Sequence, residues 1–592
     1  SSTGATELRT RIDGNTSTML VTLPTSGGRL VDVGERYAVV NGGSPAMQYV
    51  VDVPYREVVR TTPVAAASLW FDTLWTASST PGQLTSTNLA DGTAGRTVGT
   101  GVDCTPTELQ ATQRWLYWSC GADGPAGVHD LRQNVNIPVA AGPVLVGDGF
   151  LVRHDRAAGV LEMTEFHPAT AQPPVRLADL PAGQVADERE ITWAVDRNSG
   201  GVAYVDPDNA VHVLDTGVPT TPASVGNSDF HDISYPRATD WQANWTGNLR
   251  LSRPVSSWQV TVTSIVDGTV VNTRSAGPVR RGIFTSWNGR LPDGTPARNG
   301  LYRWTLTATV PGGAAATVDT GTLRVACGTF PFRSYDCYSG PALLGVKSNG
   351  EGHWYNSAYD PPLKNRLYDH GYTDRWCLNC TGSAGTSAIV PFGDFDGDGM
   401  PDVITRSADG VLHAWLGIGQ SHFGERQEIR MGSGWNAYPS ILAPGDLNRD
   451  GFDDLVATDT YGVLWLYESS GHGGFGTRIK IGSGWTIYSR VVGVGDLNGD
   501  GNGDLLAIDK SGVMYRYFGN GQGGFGARAL VGTGWTIYNA VVPIGDLNQD
   551  GRTDFLARDS GGYLWLYAGD GQGLFSPRVQ VGNGWNIFQK IF

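Results

Sequence analysis

Lysine is almost missing from this 592-residue chain: 5 of its 43 basic residues are lysine and 38 are arginine. Charge of either sign is sparse, at 17% of residues, and the balance is acidic, −14 at neutral pH. Such a surface repels a phosphate backbone, so nucleic acid is not an expected partner. No apolar run reaches the roughly 18 residues that a membrane-spanning helix needs. No stretch sustains a helical period, which leaves an all-β chain as the expected fold class. Catalytic signatures are also missing: there is no Gly-x-Ser-x-Gly elbow, no His-Glu-x-x-His and no phosphate-cradling loop, and the 10 histidines are scattered. Near-identical repeats present the same groups several times, which suits multivalent binding better than a reaction that needs unlike groups at one atom.

What is abundant is glycine, at 82 residues, with aromatics at 10%. That composition fits many short strands joined by tight turns. The length predicts three or four domains. The N-terminus, Ser1-Ser-Thr-Gly-Ala-Thr6, reads as a mature end after signal cleavage and predicts a secreted, extracellular protein. The six cysteines fall into three close pairs, Cys104/Cys120, Cys327/Cys337 and Cys377/Cys380. Sequence cannot choose among the connectivities, and nearest-neighbour disulfides are the simplest. Cys377-Leu-Asn-Cys380 could also be a redox motif or half a zinc site, but nothing spaced to complete either is present. Disulfides imply an oxidising compartment.

Near the C-terminus one acidic loop recurs four times. The copies run Asp394-Phe-Asp396-Gly-Asp398-Gly-Met400-Pro-Asp402, Asp446-Leu-Asn448-Arg-Asp450-Gly-Phe452-Asp-Asp454, Asp496-Leu-Asn498-Gly-Asp500-Gly-Asn502-Gly-Asp504 and Asp546-Leu-Asn548-Gln-Asp550-Gly-Arg552-Thr-Asp554. Calcium takes six to eight oxygens at roughly 2.3–2.6 Å. Side chains at positions 1, 3, 5 and 9 can supply them, with a glycine at position 6 for the sharp turn. Position 7 offers only its carbonyl, so Met400, Phe452, Asn502 and Arg552 can differ. An EF-hand would place its last acid at position 12 between helices; here strand-like sequence follows position 9. About four Ca²⁺ ions are therefore expected, at least in a structural role.

The whole unit of about 50 residues repeats, with four short strands per unit, which is the mark of a propeller blade. Each unit carries an aromatic strand (Trp415, Trp465, Tyr515, Trp565), a turn phenylalanine (Phe423, Phe475, Phe525, Phe575) and Gly-x-Gly-Trp-x-x-Tyr/Phe at Trp435, Trp485, Trp535 and Trp585. A degenerate copy starts at Leu343, and the terminal Trp585–Phe592 strand can pair with it, which makes five blades. These loops and Phe-Gly turns resemble FG-GAP/VCBS repeats, the calcium repeats of integrin-α-type propellers. The Gly-Trp segments and the blade count resemble the tachylectin-2 type of lectin. That resemblance covers residues 337–592 and implies a ligand-binding role for Trp435, Trp485, Trp535 and Trp585. The competing reading places those four tryptophans in the inter-blade core.

Residues 1–226 show strand runs in the rhythm of a diverged propeller of about five blades, with a pair of β-sandwiches as the alternative. Asp206-Pro-Asp208-Asn209 reads as a turn rather than an ion site. Residues 235–326 carry Trp287-Asn-Gly289 and Gly300-Leu-Tyr302, and resemble the immunoglobulin-like domain of flagellar hook-capping proteins. That implies a sandwich spacer with Trp287 and Tyr302 in its core. The expected architecture is thus two β-propellers joined by an Ig-like β-sandwich. The leading functional expectation is a secreted, calcium-binding, monomeric protein that binds glycans or a cell surface. One alternative is an adhesin or a modulator of a secreted enzyme that binds an extracellular protein. Another is a carbohydrate-active enzyme using Glu162, Glu165, His167 or the neighbouring His154-Asp155 in the first ring.

Overall fold

The computed structural model describes residues 5–10, 18–185, 187–237, 243–330, 332–337, 340–357, 367–374, 386–419 and 428–592. The chain is nearly all β. Cys377, Cys380 and Phe423 lie outside the described residues.

Five sheets fill residues 29–215. Four have four strands and the fifth, 193–215, has three, each ordered by simple antiparallel meander. Their first strands, Arg29–Val33, Ala67–Trp70, Glu108–Ala111, Val144–Val146 and Trp193–Val195, touch one another in succession, which makes them the axial strands of a propeller. Arg197 closes the circle. Its guanidinium reaches Asp32 of the first sheet, the Leu69 carbonyl of the second and the Ala111 carbonyl of the third. Buried aromatic and branched residues such as Trp115, Tyr117, Val128 and Phe166 fill the spaces between sheets. The Cys104–Cys120 disulfide forms within this half.

The Ig-like unit packs a three-stranded sheet (Val225–His231, Trp245–Leu251, Gly282–Trp287) on a five-stranded one built around Ser257–Ser264, Gly300–Thr309 and Ala315–Val325. Alternation fixes its core: Trp245, Leu249 and Leu251 face inward while Asn248 and Arg250 face out. Trp287 and Tyr302 are core residues as expected, with ring centroids 5.4 Å apart. The Tyr302 hydroxyl donates to the Arg298 carbonyl and the Trp287 indole N–H to the Arg290 carbonyl, both at 2.8 Å. The strand Val225–His231 belongs to this sandwich and starts ahead of the expected residue 235. Its sequence, Val-Gly-Asn-Ser-Asp-Phe-His, lacks the apolar alternation that would mark it.

Five four-stranded sheets form the C-terminal ring. Four are meanders over residues 386–432, 440–482, 488–532 and 538–582. In the remaining one, the final strand Phe588–Ile591 supplies the innermost position beside Ala342–Lys347, with Gly345 opposite Ile591. Five blades and closure by the last strand are as expected. The Cys327–Cys337 disulfide staples the end of the sandwich to the start of this ring. Beside it Phe332 packs on Gly495 and Gly545, Arg333 donates to the Pro391 carbonyl at 2.8 Å and Tyr335 to the Phe392 carbonyl at 3.3 Å. The connector is thereby seated against three of the five blades.

Candidate functional site

Each acidic loop is shaped by its own carboxylates. Position 1 takes at least two backbone N–H donors, the shortest being Asp394 from Gly397 and Gly399, Asp446 from Arg449 and Gly451, and Asp496 from Gly499 and Gly501, at 2.6–2.9 Å. Asp546 does the same with Asp550 and Gly551. Position 6 is left-handed in all four loops, with φ from +85° to +93°, which is why glycine stands there. Position 4 is left-handed too, at Gly397, Arg449, Gly499 and Gln549, a feature not legible from residue type.

The donor set fits a hard divalent cation. Carboxylate oxygens of Asp394, Asp396 and Asp398 lie within 4.8 Å of one another. The other loops replace one carboxylate by Asn448, Asn498 or Asn548, whose amides sit 2.9–3.0 Å from Asp450, Asp500 and Asp550. All donors are oxygen, as calcium prefers. Position 7 does more than lend a carbonyl in one loop: the Asn502 side-chain oxygen accepts from Arg449 at 2.8 Å, joining two neighbouring loops.

Position 9 has a second task. Asp402, Asp454, Asp504 and Asp554 are fully buried. One oxygen accepts the N–H of position 2 (Phe395, Leu447, Leu497, Leu547) at 2.7–3.0 Å. The other accepts the N–H of Gly417, Ser469, Gly519 or Gly569, fifteen residues on, at 2.7–3.1 Å. The residue thus pins the loop to the turn that follows the aromatic strand. In the first three loops each oxygen keeps a further lone pair for an ion; in the fourth, the Asp554 oxygen that faces Leu547 also accepts the Asn548 N–H at 3.1 Å, which leaves the other oxygen as the free acceptor. Burial pushes Asp402 up to about 8 and Asp454, Asp504 and Asp554 to about 7, against the lowering effect of those hydrogen bonds. A cation in the loop counters that cost by favouring the charged form.

The four Gly-Trp residues are core. Trp435, Trp485, Trp535 and Trp585 are only 7–9% exposed, each opening a short 3₁₀ turn after a left-handed glycine. Their rings are thus largely covered by neighbouring side chains, as the core reading expects. Trp435, Trp485 and Trp535 pack against Tyr467, Tyr517 and Tyr567 with centroids 4.7–4.9 Å apart.

Above them lies a cluster that the sequence reading missed, repeated in three blades. Tyr438 and Tyr467 share a hydroxyl–hydroxyl bond of 2.6 Å, Arg478 donates to Tyr438 at 2.8 Å, and its guanidinium lies 4.3 Å over the Trp465 ring. Tyr488, Tyr517, Arg528 and Tyr515 repeat it, with Arg528 4.4 Å over Tyr515. Tyr538, Tyr567, Arg578 and Trp565 repeat it again at 4.0 Å. The three arginines are exposed. The blade of residues 386–432 breaks the pattern by pairing His413 with Glu428. The signal that could have found the cluster is an arginine seven residues before three of the four Gly-Trp tryptophans, with Glu428 in that place before Trp435.

In the first ring the acids considered for catalysis do not converge. Glu162 and Glu165 stand on Val160–Glu165, the third strand of its sheet, three residues apart and so on opposite faces. Glu162 is held by Arg153, Asp155 caps a turn through the Ala158 N–H, and buried His154 pairs with Glu188 at 3.1 Å. Gly149 packs against His167. Asp206 accepts the N–H of Asp208 and Ala210 and pairs with His212, which is a plain turn, as expected.

Comparison with known proteins agrees with these units. The FG-GAP-like repeat matches residues 394–457, 446–507 and 496–557, and the FlgD Ig-like domain matches 234–312. No curated protein matches. Among solved structures, U3-55K aligns at 13% identity over 34% of this chain and 68% of its own, with a TM-score of 0.26. The BP39L lectin from Burkholderia pseudomallei aligns at 13% identity over 74% of this chain and 98% of its own, with a TM-score of 0.27.

Proposed function

We propose that this is a secreted recognition protein whose C-terminal ring, residues 337–592, binds glycans at several equivalent sites. Residues 29–215 form the first ring, and the sandwich from Val225 to Val325 is the spacer between the two rings. The observation that carries the reading is the threefold Tyr–Tyr–Arg–aromatic cluster. An exposed guanidinium beside a tyrosine pair offers fixed donors and acceptors to sugar hydroxyls, and the aromatic ring below keeps the guanidinium in place. Three copies on one rigid ring favour repeated ligands through effective concentration. Calcium, about four ions, is held by Asp394, Asp396, Asp398 and Asp402 and their counterparts. Its chemistry there is charge neutralisation, and the loops themselves order the strands they precede. The disulfides Cys104–Cys120 and Cys327–Cys337 support an oxidising, extracellular setting.

The test is a glycan array run with calcium and with EGTA, followed by calorimetry on any hit. Binding at about three sites per chain, lost in the combined Arg478→Ala, Arg528→Ala, Arg578→Ala variant, is the expected result. A blank array with folded protein, or one site indifferent to those changes, moves the function to a protein partner.

A further inference from the structure

The first ring carries a site of opposite character. A cavity of about 450 Å³ opens between its second and third blades. Its walls include Trp70, Trp75, Gln113, Arg96, Arg114 and Arg132, and no acid lines it. One of the arginines is already neutralised. Arg114 makes a two-pronged bond to Asp130, at 2.6 and 3.0 Å, and lies 4.2 Å over the Trp115 ring. Asp130 is fully buried behind the wall, and spends its remaining capacity on the N–H groups of Arg132 and Gln133. That bonding fixes the turn from which Arg132 projects. Arg96 is placed by one bond to the Leu131 carbonyl at 2.7 Å. Among the described residues neither Arg96 nor Arg132 has a carboxylate partner, and both are exposed.

Trp70 is shared with a second cavity, of about 280 Å³, at the junction with the sandwich. That cavity adds Arg197, Arg253, Arg280 and Arg281. Arg253 is paired with Asp148 and Arg197 with Asp32, while Arg281 stands 4.0 Å from Glu35. The Arg280 guanidinium has no partner among the described residues. An aromatic side chain therefore stands between two arginine-lined hollows, on a protein whose net charge is −14. A hollow lined by charges of one sign focuses a positive field there and attracts anions, even on an acidic protein. Guanidinium forks fit carboxylate, sulfate and phosphate oxygens in two-pronged geometry. A tryptophan between them fits the apolar face of a sugar ring.

We infer that the cleft flanking Trp70 binds an acidic polysaccharide: a sugar ring lies against Trp70, with anionic groups at Arg96 and Arg132 on one side and at Arg280 on the other. This binding is separate from that of the C-terminal ring and does not depend on it.

The experiment is calorimetry of the full chain with three probes: an oligomer of a uronic acid, its carboxyl-reduced neutral counterpart, and a sulfated oligosaccharide of equal length. The wild type is compared with the Arg96→Ala, Arg132→Ala double variant, with Trp70→Ala, and with the Arg478→Ala, Arg528→Ala, Arg578→Ala variant of the other ring. At least one anionic oligomer should bind, tenfold or more above the neutral one, with affinity that falls as salt rises. The carboxylate and sulfate arms identify the source of the anion. The double variant should lose at least tenfold and Trp70→Ala at least threefold, while the C-terminal variant binds as wild type. Both arginines are exposed, so their removal leaves the fold intact, and a melting curve checks this. No binding of either anionic oligomer, equal binding of the neutral one, or an unaffected double variant overturns the inference.

Discussion

Arg197 and Asp32, 165 residues apart in sequence, meet in a two-pronged ion pair, with Nη1 2.9 Å from one carboxylate oxygen and Nη2 3.3 Å from the other. The same guanidinium donates at 2.9 Å to the carbonyls of Leu69 and Ala111. Three blades therefore converge on one side chain. Arg197→Lys keeps the charge but lacks the fork, and leaves carbonyls near the axis without donors. The arginine is one-third exposed, so the expected loss is discounted for solvent to about 1–2 kcal/mol. Denaturant unfolding checks it, and a midpoint equal to wild type would show that the axis holds without this hub.

Core and surface positions of the C-terminal ring should separate cleanly. Trp535→Ala removes an inter-blade residue packed on Tyr538, Phe555 and Tyr567, and should cost about 3–5 kcal/mol. Arg528→Ala, on the exposed cluster, should leave the melting temperature nearly unchanged and reduce glycan binding. Equal stability of both variants would contradict the assignment of the tryptophans to the core.

Removing Asp504 tests its role as a staple. Asp504→Ala leaves the buried N–H groups of Leu497 and Gly519 without acceptors, at about 1–3 kcal/mol each. Asp504→Asn keeps one acceptor oxygen and should fall between the two. This loss should persist in EGTA, because the hydrogen bonds belong to the chain and not to an ion. A loss seen only with calcium present would reduce the residue to a ligand.

Chelation probes the ion itself. A site that binds the folded state alone adds about 2.7 kcal/mol when calcium is at one hundred times its dissociation constant. EGTA should therefore lower the melting temperature of the wild type. Asp496→Ala should shrink that shift without abolishing it, since three loops remain. A melting temperature indifferent to EGTA would refute calcium binding.

The first loop also touches the sandwich. Arg237 donates to the Asp398 carbonyl at 3.3 Å and to the Gly328 carbonyl at 3.2 Å, and a β-carbon at Gly399 would lie 2.1 Å from its guanidinium. Gly399→Ala, strained as well by φ +85°, should expel Arg237 and loosen the sandwich against the ring. Faster limited proteolysis between residues 326 and 342, with the ring still folded, is the expected outcome. An unchanged cleavage rate would mean that the disulfide and the seated connector suffice.

The legible parts of this molecule were those with internal repetition or strict alternation. The acidic loops, the blade count, the pairing of Phe588–Ile591 with the first C-terminal blade, and the inward Trp287 and Tyr302 all follow from pattern. Contacts between distant, dissimilar residues did not show. Nothing in the sequence joins Arg197 to Asp32, or Arg333 to Pro391. Sequence left the Gly-Trp tryptophans open between sugar platform and core, because an aromatic beside glycines occurs in both settings; in the fold they are buried. The Arg478 family was hidden since arginine is common and the partners, Tyr438 and Tyr467, come from different strands. The arginine cleft near Trp70 was invisible for the same reason: its parts come from separate blades and the sandwich.

The closing strand also sets a schedule. Gly345 finds its partner only when Ile591 has been made. At about 5–20 residues per second the nascent ring waits roughly 12–50 seconds with an open edge. During that interval the first C-terminal blade offers an unpaired strand to any neighbour, including another nascent copy.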